Sequence, residues 1–134
     1  MQLEFSKMHG AGNDFIIADN TAGKWPETED FIRAACSRKR GIGADGLILL
    51  EGGASGKTFK MTFFNCDGSP ASMCGNGLRC AALFTYERMG AGQNIRFTTG
   101  AGELHAQITG SKQARIEIPV KNKFKEAAVG GMKM

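Results

Sequence analysis

Asn76-Gly77-Leu78-Arg79-Cys80-Ala81-Ala82-Leu83-Phe84-Thr85-Tyr86-Glu87-Arg88-Met89 reads as one helix, halted by Gly90. Its residues Leu78, Ala81, Ala82, Leu83, Phe84, Tyr86 and Met89 cover most of the circumference instead of a single stripe. A helix that is apolar nearly all round is enclosed by protein. The enclosing material has to be strands, because β-like runs dominate the rest of the chain: 3–8, 15–19, 47–51, 58–65, 95–99, 103–109 and 114–118. The last three are separated by Gly100-Ala101-Gly102 and by a turn beginning Gly110-Ser111, which suggests an antiparallel meander. The expected fold class is therefore α+β, a mostly antiparallel sheet curled round a central helix.

A second helix is expected from about Pro26 to Arg40. Glu27, Glu29 and Asp30 stand at its start, and Arg38, Lys39 and Arg40 stand at its end before Gly41, which complements the helix dipole at both ends.

The chain has 134 residues, 42% of them hydrophobic, and a formal charge of +4. A chain of this length can bury roughly 68% of its unfolded surface, enough for a core without disulfides. The charge is unevenly placed. Residues 1–110 balance, and the surplus sits in Lys112, Arg115, Lys121, Lys123, Lys125 and Lys133 against Glu117 and Glu126. That end reads as solvated chain, since a nucleic-acid site would interleave basic residues with aromatics along one face. Residues 1–119 are expected to form one domain, and 120–134 to begin a linker or a frayed tail. The N-terminus lacks a basic segment leading into an apolar one, and no run approaches the ~18 apolar residues of a membrane span, so a cytoplasmic protein is expected. Cys36, Cys66, Cys74 and Cys80 form no C-x-x-C pair, and His9 and His105 are far apart, so no metal ligand set is recognisable.

Glycine is over-represented, 19 residues where roughly 7% is usual. The glycines gather at Gly10/Gly12, Gly41/Gly43/Gly46, Gly75/Gly77 and Gly100/Gly102, where a turn is tight or a ligand comes close to backbone. One of these clusters adjoins a thiol. In Phe63-Phe64-Asn65-Cys66-Asp67-Gly68-Ser69-Pro70-Ala71-Ser72-Met73-Cys74-Gly75-Asn76-Gly77, a strand ends at Asn65, a polar loop follows, and Cys74 comes just before the helix start. Unpaired N–H groups and the positive end of the helix dipole lower a thiol's pKa there, and the same groups can hold a carboxylate. Cys36 and Cys80, each inside a helix beside alanines, read as small buried hydrophobes.

Three segments together resemble the N-terminal half of the diaminopimelate epimerase family: Lys7-Met8-His9-Gly10-Ala11-Gly12-Asn13-Asp14-Phe15, Arg40-Gly41-Ile42-Gly43-Ala44-Asp45-Gly46-Leu47, and Phe64-Asn65-Cys66-Asp67-Gly68-Ser69 leading to Met73-Cys74-Gly75-Asn76-Gly77-Leu78-Arg79-Cys80. The resemblance implies a cofactor-independent isomerase that interconverts LL- and meso-diaminopimelate on the way to lysine. It implies two similar domains, each a sheet curled round a helix, with substrate held between them. By position, Cys74 is one of two acid/base thiols, Gly75 and Asn76 hold a substrate carboxylate, and Asn13 and Asn65 are polar substrate contacts. The family's second half, with the partner thiol, has no counterpart in these 134 residues, so the missing C-terminal domain is an expected partner. Two positions depart from the family. Gln is common where this chain has Gly46, and Cys66 stands where Ala or Ser is usual. His9 is expected to fix its loop by hydrogen bonds, and Asp14, Asp45 and Asp67 to form turns.

Three readings follow. The first is the N-terminal domain of the epimerase, inactive alone. The second is a catalytically silent half-domain that binds a ligand or covers its open cleft as a homodimer. The third is a related isomerase of the same fold.

Overall fold

A computed structural model describes residues 2–52, 57–71 and 75–117. The proposed tail at 120–134 and the thiol Cys74 lie outside these residues. The elements are β1 (Ser6–Gly10), β2 (Asn13–Asp19), α1 (Glu29–Cys36), β3 (Gly46–Gly52), β4 (Thr58–Asn65), β5 (Pro70–Ala71), α2 (Gly75–Arg88), β6 (Asn94–Thr99), β7 (Gly102–Gly110) and β8 (Gln113–Glu117).

One sheet runs in the order β1-β2-β3-β4-β6-β7-β8, with the short β5 against β4. Most neighbours are antiparallel, and β6–β7–β8 is the expected meander. Two pairs, β2–β3 and β4–β6, are parallel. Each parallel pair is bridged by a helix, since α1 lies between β2 and β3 and α2 between β4 and β6. A parallel return requires such a crossover.

The two helices take opposite faces of the sheet. α2 lies on the inner face among Phe15, Ile17, Ile48, Leu50, Met61, Phe63, Ile95, Phe97 and Leu104. α1 covers the other face of β2–β4, packing Ile32 and Cys36 with Trp25 on Ile16, Ala18, Leu47, Leu49 and Phe64. Strands β2 and β3 are thus buried on both sides. This is why Phe15–Ala18 and Leu47–Leu50 are unbroken apolar runs, whereas β6 and β7 alternate apolar and polar residues. Each large side chain so enclosed contributes about 1.5–3 kcal/mol through its removal from water.

Helix α2 meets the expectation of burial over most of its surface, with Leu78, Cys80, Ala81, Ala82, Phe84 and Thr85 enclosed. Thr85 is spared a hydrogen-bond deficit because its hydroxyl donates to the carbonyls of Ala81 and Ala82. The encirclement is incomplete, however. Tyr86 is 41% exposed, and Arg79 is exposed one helical face away from the core. Among the described residues the sheet does not close, since β1 and β8 are the two ends of its strand order, and Arg79 and Leu83 of α2 line a cleft between them.

Helix α1 is shorter than its charge pattern suggests. Pro26 precedes it, Thr28 is the cap with its hydroxyl accepting from the Phe31 N–H at 3.2 Å, and Glu29 and Asp30 form the first turn. At the other end Arg33 is the only basic residue in the last turn. Arg38, Lys39 and Arg40 lie beyond it, in a loop whose backbone N–H groups at Ile42, Gly43 and Ala44 satisfy the carbonyls of Ala35 and Cys36.

Candidate active site

Strand β2 begins at Asn13, β3 begins at Gly46 and β4 ends at Asn65. Because Phe15 pairs with Gly46 and Gly46 with Asn65, all three lie at one end of the sheet. From Asn65 the chain turns through Cys66–Ser69. Asp67 accepts from the Ser69 N–H at 2.9 Å and its hydroxyl at 2.6 Å, and the Asn65 side chain donates to the Ser69 hydroxyl at 3.1 Å. These bonds hold the Asp67 carboxyl below the usual carboxylate range, and Asp67 is the turn former expected of it. β5 then pairs back along β4 and α2 starts at Gly75, the residue after Cys74.

The start of α2 rests directly on β1. A Cβ at Gly10 would sit 3.1 Å from the Asn76 carbonyl oxygen and 3.2 Å from Cys80 Sγ, so a side chain there would crowd this approach. On the opposite side a Cβ at Gly75 would meet Ile116 of β8 at 3.6 Å. The first turn of α2 is therefore held between the two end strands of the described sheet.

Asn76 and Asn13, predicted from sequence, are in contact. Asn76 Nδ2 donates to Asn13 Oδ1 at 2.9 Å, Arg79 Nη1 donates to Asn76 Oδ1 at 3.2 Å, and Asn13 Nδ2 donates to Asp45 Oδ2 at 3.4 Å. Each amide keeps one N–H that these bonds do not use. Asn65 shares the same end of the sheet, and its described side-chain bond is to Ser69.

Behind the amides lies a charged cluster that sequence reading missed. Asp14, 8% exposed, takes two bonds from the Arg38 guanidinium, at 2.9 and 3.1 Å, and an ion pair from Lys7 at 3.2 Å. Arg38 also reaches Asp45 at 3.2 Å, and the two acidic residues exchange backbone bonds: Asp14 N–H to Asp45 Oδ2, and Asp45 N–H to the Asp14 carbonyl. The Arg38 guanidinium, with Lys7 and the Asp45 N–H, holds the Asp14 carboxyl far below the usual carboxylate range even though burial opposes it. Asp14 and Asp45 are thus not simple turn formers. The available signal was two acidic residues, each inside a glycine-rich motif, beside unmatched Lys7 and Arg38.

His9 is exposed and makes no side-chain hydrogen bond among the described residues, so it does not fix the loop as expected. Gly46 is buried, and a Cβ there would meet Phe63 Cε1 at 2.8 Å and the Phe64 carbonyl oxygen at 2.9 Å. Any longer side chain at this point needs the β3–β4 pair to move. Of the other thiols, Cys36 is buried, which pushes its pKa up to about 11, and Cys66 is exposed. Cys80 is buried against the core, as expected.

A cleft of about 460 Å³ opens over α2 between the β1–β2 and β7–β8 hairpins, with His9, Ala11, Arg79, Leu83 and Thr109 among its walls. A larger groove of about 870 Å³ involves the outer-face residues Arg96, His105 and Arg115 of β6–β8. It shares no residue with the three motifs. Among the described residues no group of three or more His, Cys, Asp or Glu could hold a metal, and no helix is long and apolar enough to cross a membrane.

The family model for diaminopimelate epimerase matches residues 5–122. The diaminopimelate epimerase of Chlorobaculum tepidum is 42% identical over 127 residues, covering 92% of this chain and 49% of the relative. That of Aquifex aeolicus is 40% identical over 141 residues, covering 96% and 50%. The chain spans about half the length of the curated relatives it matches. Among solved structures, one described as a probable proline racemase from Agrobacterium radiobacter superposes with a TM-score of 0.66 at 16% identity, over 86% of this chain and 41% of that one. A Pseudomonas aeruginosa protein described as a predicted epimerase gives 0.62 at 14% identity, over 82% and 39%. At these identities the structural likeness speaks for the fold alone. The sequence match spans all three glycine-rich motifs and the strands and helix that carry them, and the chain belongs to the diaminopimelate epimerase family.

Proposed function

We infer that the chain is the Cys74-bearing half of an epimerase that interconverts LL- and meso-diaminopimelate without a cofactor. The observation that carries this reading is the convergence of Gly75, Asn76 and Asn13 at the start of α2, the residue after Cys74. Removing an α-proton builds charge onto the adjacent carboxylate, and helix N-terminal N–H groups with two side-chain amides are suited to hold it. In the proposed step the Cys74 thiolate takes the α-proton from one face. A thiol of the second half returns a proton to the opposite face, inverting the carbon and leaving Cys74 protonated and its counterpart ionised. In the reverse direction the two exchange roles. Cys80 does not replace the second thiol, because it is buried on the same helix.

The test is incubation of this chain with LL-diaminopimelate in D2O. The expected result is at most a trace of inverted product. Stereoinversion at enzyme-like rates from these 134 residues would overturn the two-thiol division of labour.

A further inference from the structure

We propose that Asp45, clamped by Arg38, is a positioning residue that sets the direction of the Asn76–Asn13 amide pair and so presents their unused N–H groups to the substrate carboxylate. The inference rests on the functional reading above for the identity of the ligand, and on geometry for the rest.

A carboxamide can turn over, exchanging its donor and acceptor ends at almost no steric cost. What decides its direction is the polarity of its neighbours. Here the bonds run one way through the cluster, from Arg79 to Asn76, from Asn76 to Asn13 and from Asn13 to Asp45, at 3.2, 2.9 and 3.4 Å. Both ends are unambiguous. A guanidinium only donates, which turns the Asn76 oxygen towards Arg79 and its NH2 towards Asn13. A carboxylate only accepts, which turns the Asn13 NH2 towards Asp45 and its oxygen towards Asn76. Neither amide can turn over without setting donor against donor or acceptor against acceptor.

Asp45 is in turn fixed from several sides. Its Oδ2 accepts the Asp14 N–H at 3.0 Å, its Oδ1 accepts from Arg38 at 3.2 Å, and its own N–H donates to Asp14. The clamp ties the loop after α1 to the start of β2, so the carboxylate that orients Asn13 is placed by the fold and not by the ligand. Placement of this kind spares the ligand the cost of ordering the donors it meets.

The decisive variant is Asp45→Ala, which removes the acceptor from that end. In the 15N-labelled chain, the Asn76 side-chain amide, which does not bond to position 45, is expected to shift and to exchange its protons about tenfold faster in this variant. Asp45→Glu, which still only accepts, is expected to restore it. Backbone amides of Phe59, Phe97 and Leu104 serve as the structural control and stay unchanged. The shifts that diaminopimelate induces at Gly75 and Asn76 are expected to need about tenfold more ligand in Asp45→Ala. An unaltered Asn76 side chain in Asp45→Ala overturns the proposal, as does movement of the core amides along with it. Failure of the unsubstituted chain to respond to diaminopimelate overturns the functional reading, and the Asn76 response still decides the positioning role of Asp45.

Discussion

Asn76 and Asn13 stand 63 residues apart in the chain and share a 2.9 Å hydrogen bond between their side chains. The bond joins the first turn of the buried helix to the first residue of β2. It depends on α2 lying hard against β1, at a place where Gly10 leaves little room.

Gly10→Ala is therefore expected to lift the start of α2, since the new methyl would meet the Asn76 carbonyl oxygen at 3.1 Å. Overpacking of this kind costs about 1–3 kcal/mol. Urea denaturation would show a lower midpoint with an unchanged slope, and the Asn76 side-chain amide would lose its protection. An unchanged midpoint would mean that the helix start yields freely.

Gly46→Gln is expected to cost more than Gly10→Ala. The obstruction at 2.9 Å is the Phe64 carbonyl oxygen, a backbone atom held by the β3–β4 ladder. We expect a loss of about 2 kcal/mol or more, from overpacking and a disturbed strand pair. Thermal melting of the variant beside the parent chain is the check, and equal transition temperatures would refute it.

The Asp14 cluster predicts a pH signature. Its carboxyl pKa is depressed in the folded chain, chiefly by the Arg38 bond. A depressed acid contributes stability that is present above the unfolded value, near 3.9, and is lost as pH falls towards the folded value. Asp14→Asn is accordingly expected to cost about 1–2 kcal/mol at neutral pH, a modest figure because Arg38 is largely solvated. The difference between the two proteins should narrow below about pH 4. A gap that is constant with pH would show that the charge of Asp14 is not what matters.

The thiols separate by exposure. Iodoacetamide at pH 8 is expected to modify Cys66 in the folded chain and to spare Cys36, which burial keeps protonated with a pKa of about 11. Peptide mass spectrometry before and after denaturation reads both sites. Rapid labelling of Cys36 under native conditions would contradict its burial between α1 and the sheet.

Local pattern sufficed for much of this molecule. The helix read at 76–89, the strands read at 15–19, 47–51 and 58–65, and the closing meander are written in periodicity and punctuation, which act over a few residues, and the structure moves their ends by no more than two residues. Tertiary structure decided what depends on distant partners. Arg38 reads as the cationic end of a helix, yet the helix stops at Cys36 and the guanidinium turns to Asp14, 24 residues away. Tyr86 reads as part of an apolar girdle, yet it is 41% exposed, which no local pattern reveals. The parallel pairing of β2 with β3 and of β4 with β6 is likewise silent in sequence, since a strand's alternation tells which face is buried and not which neighbour lies beside it. The direction of the Asn76–Asn13 pair belongs to the same class. The sequence supplies the amides, but their orientation comes from Arg79 and Asp45, a cation and an anion that only the folded chain places at their two ends.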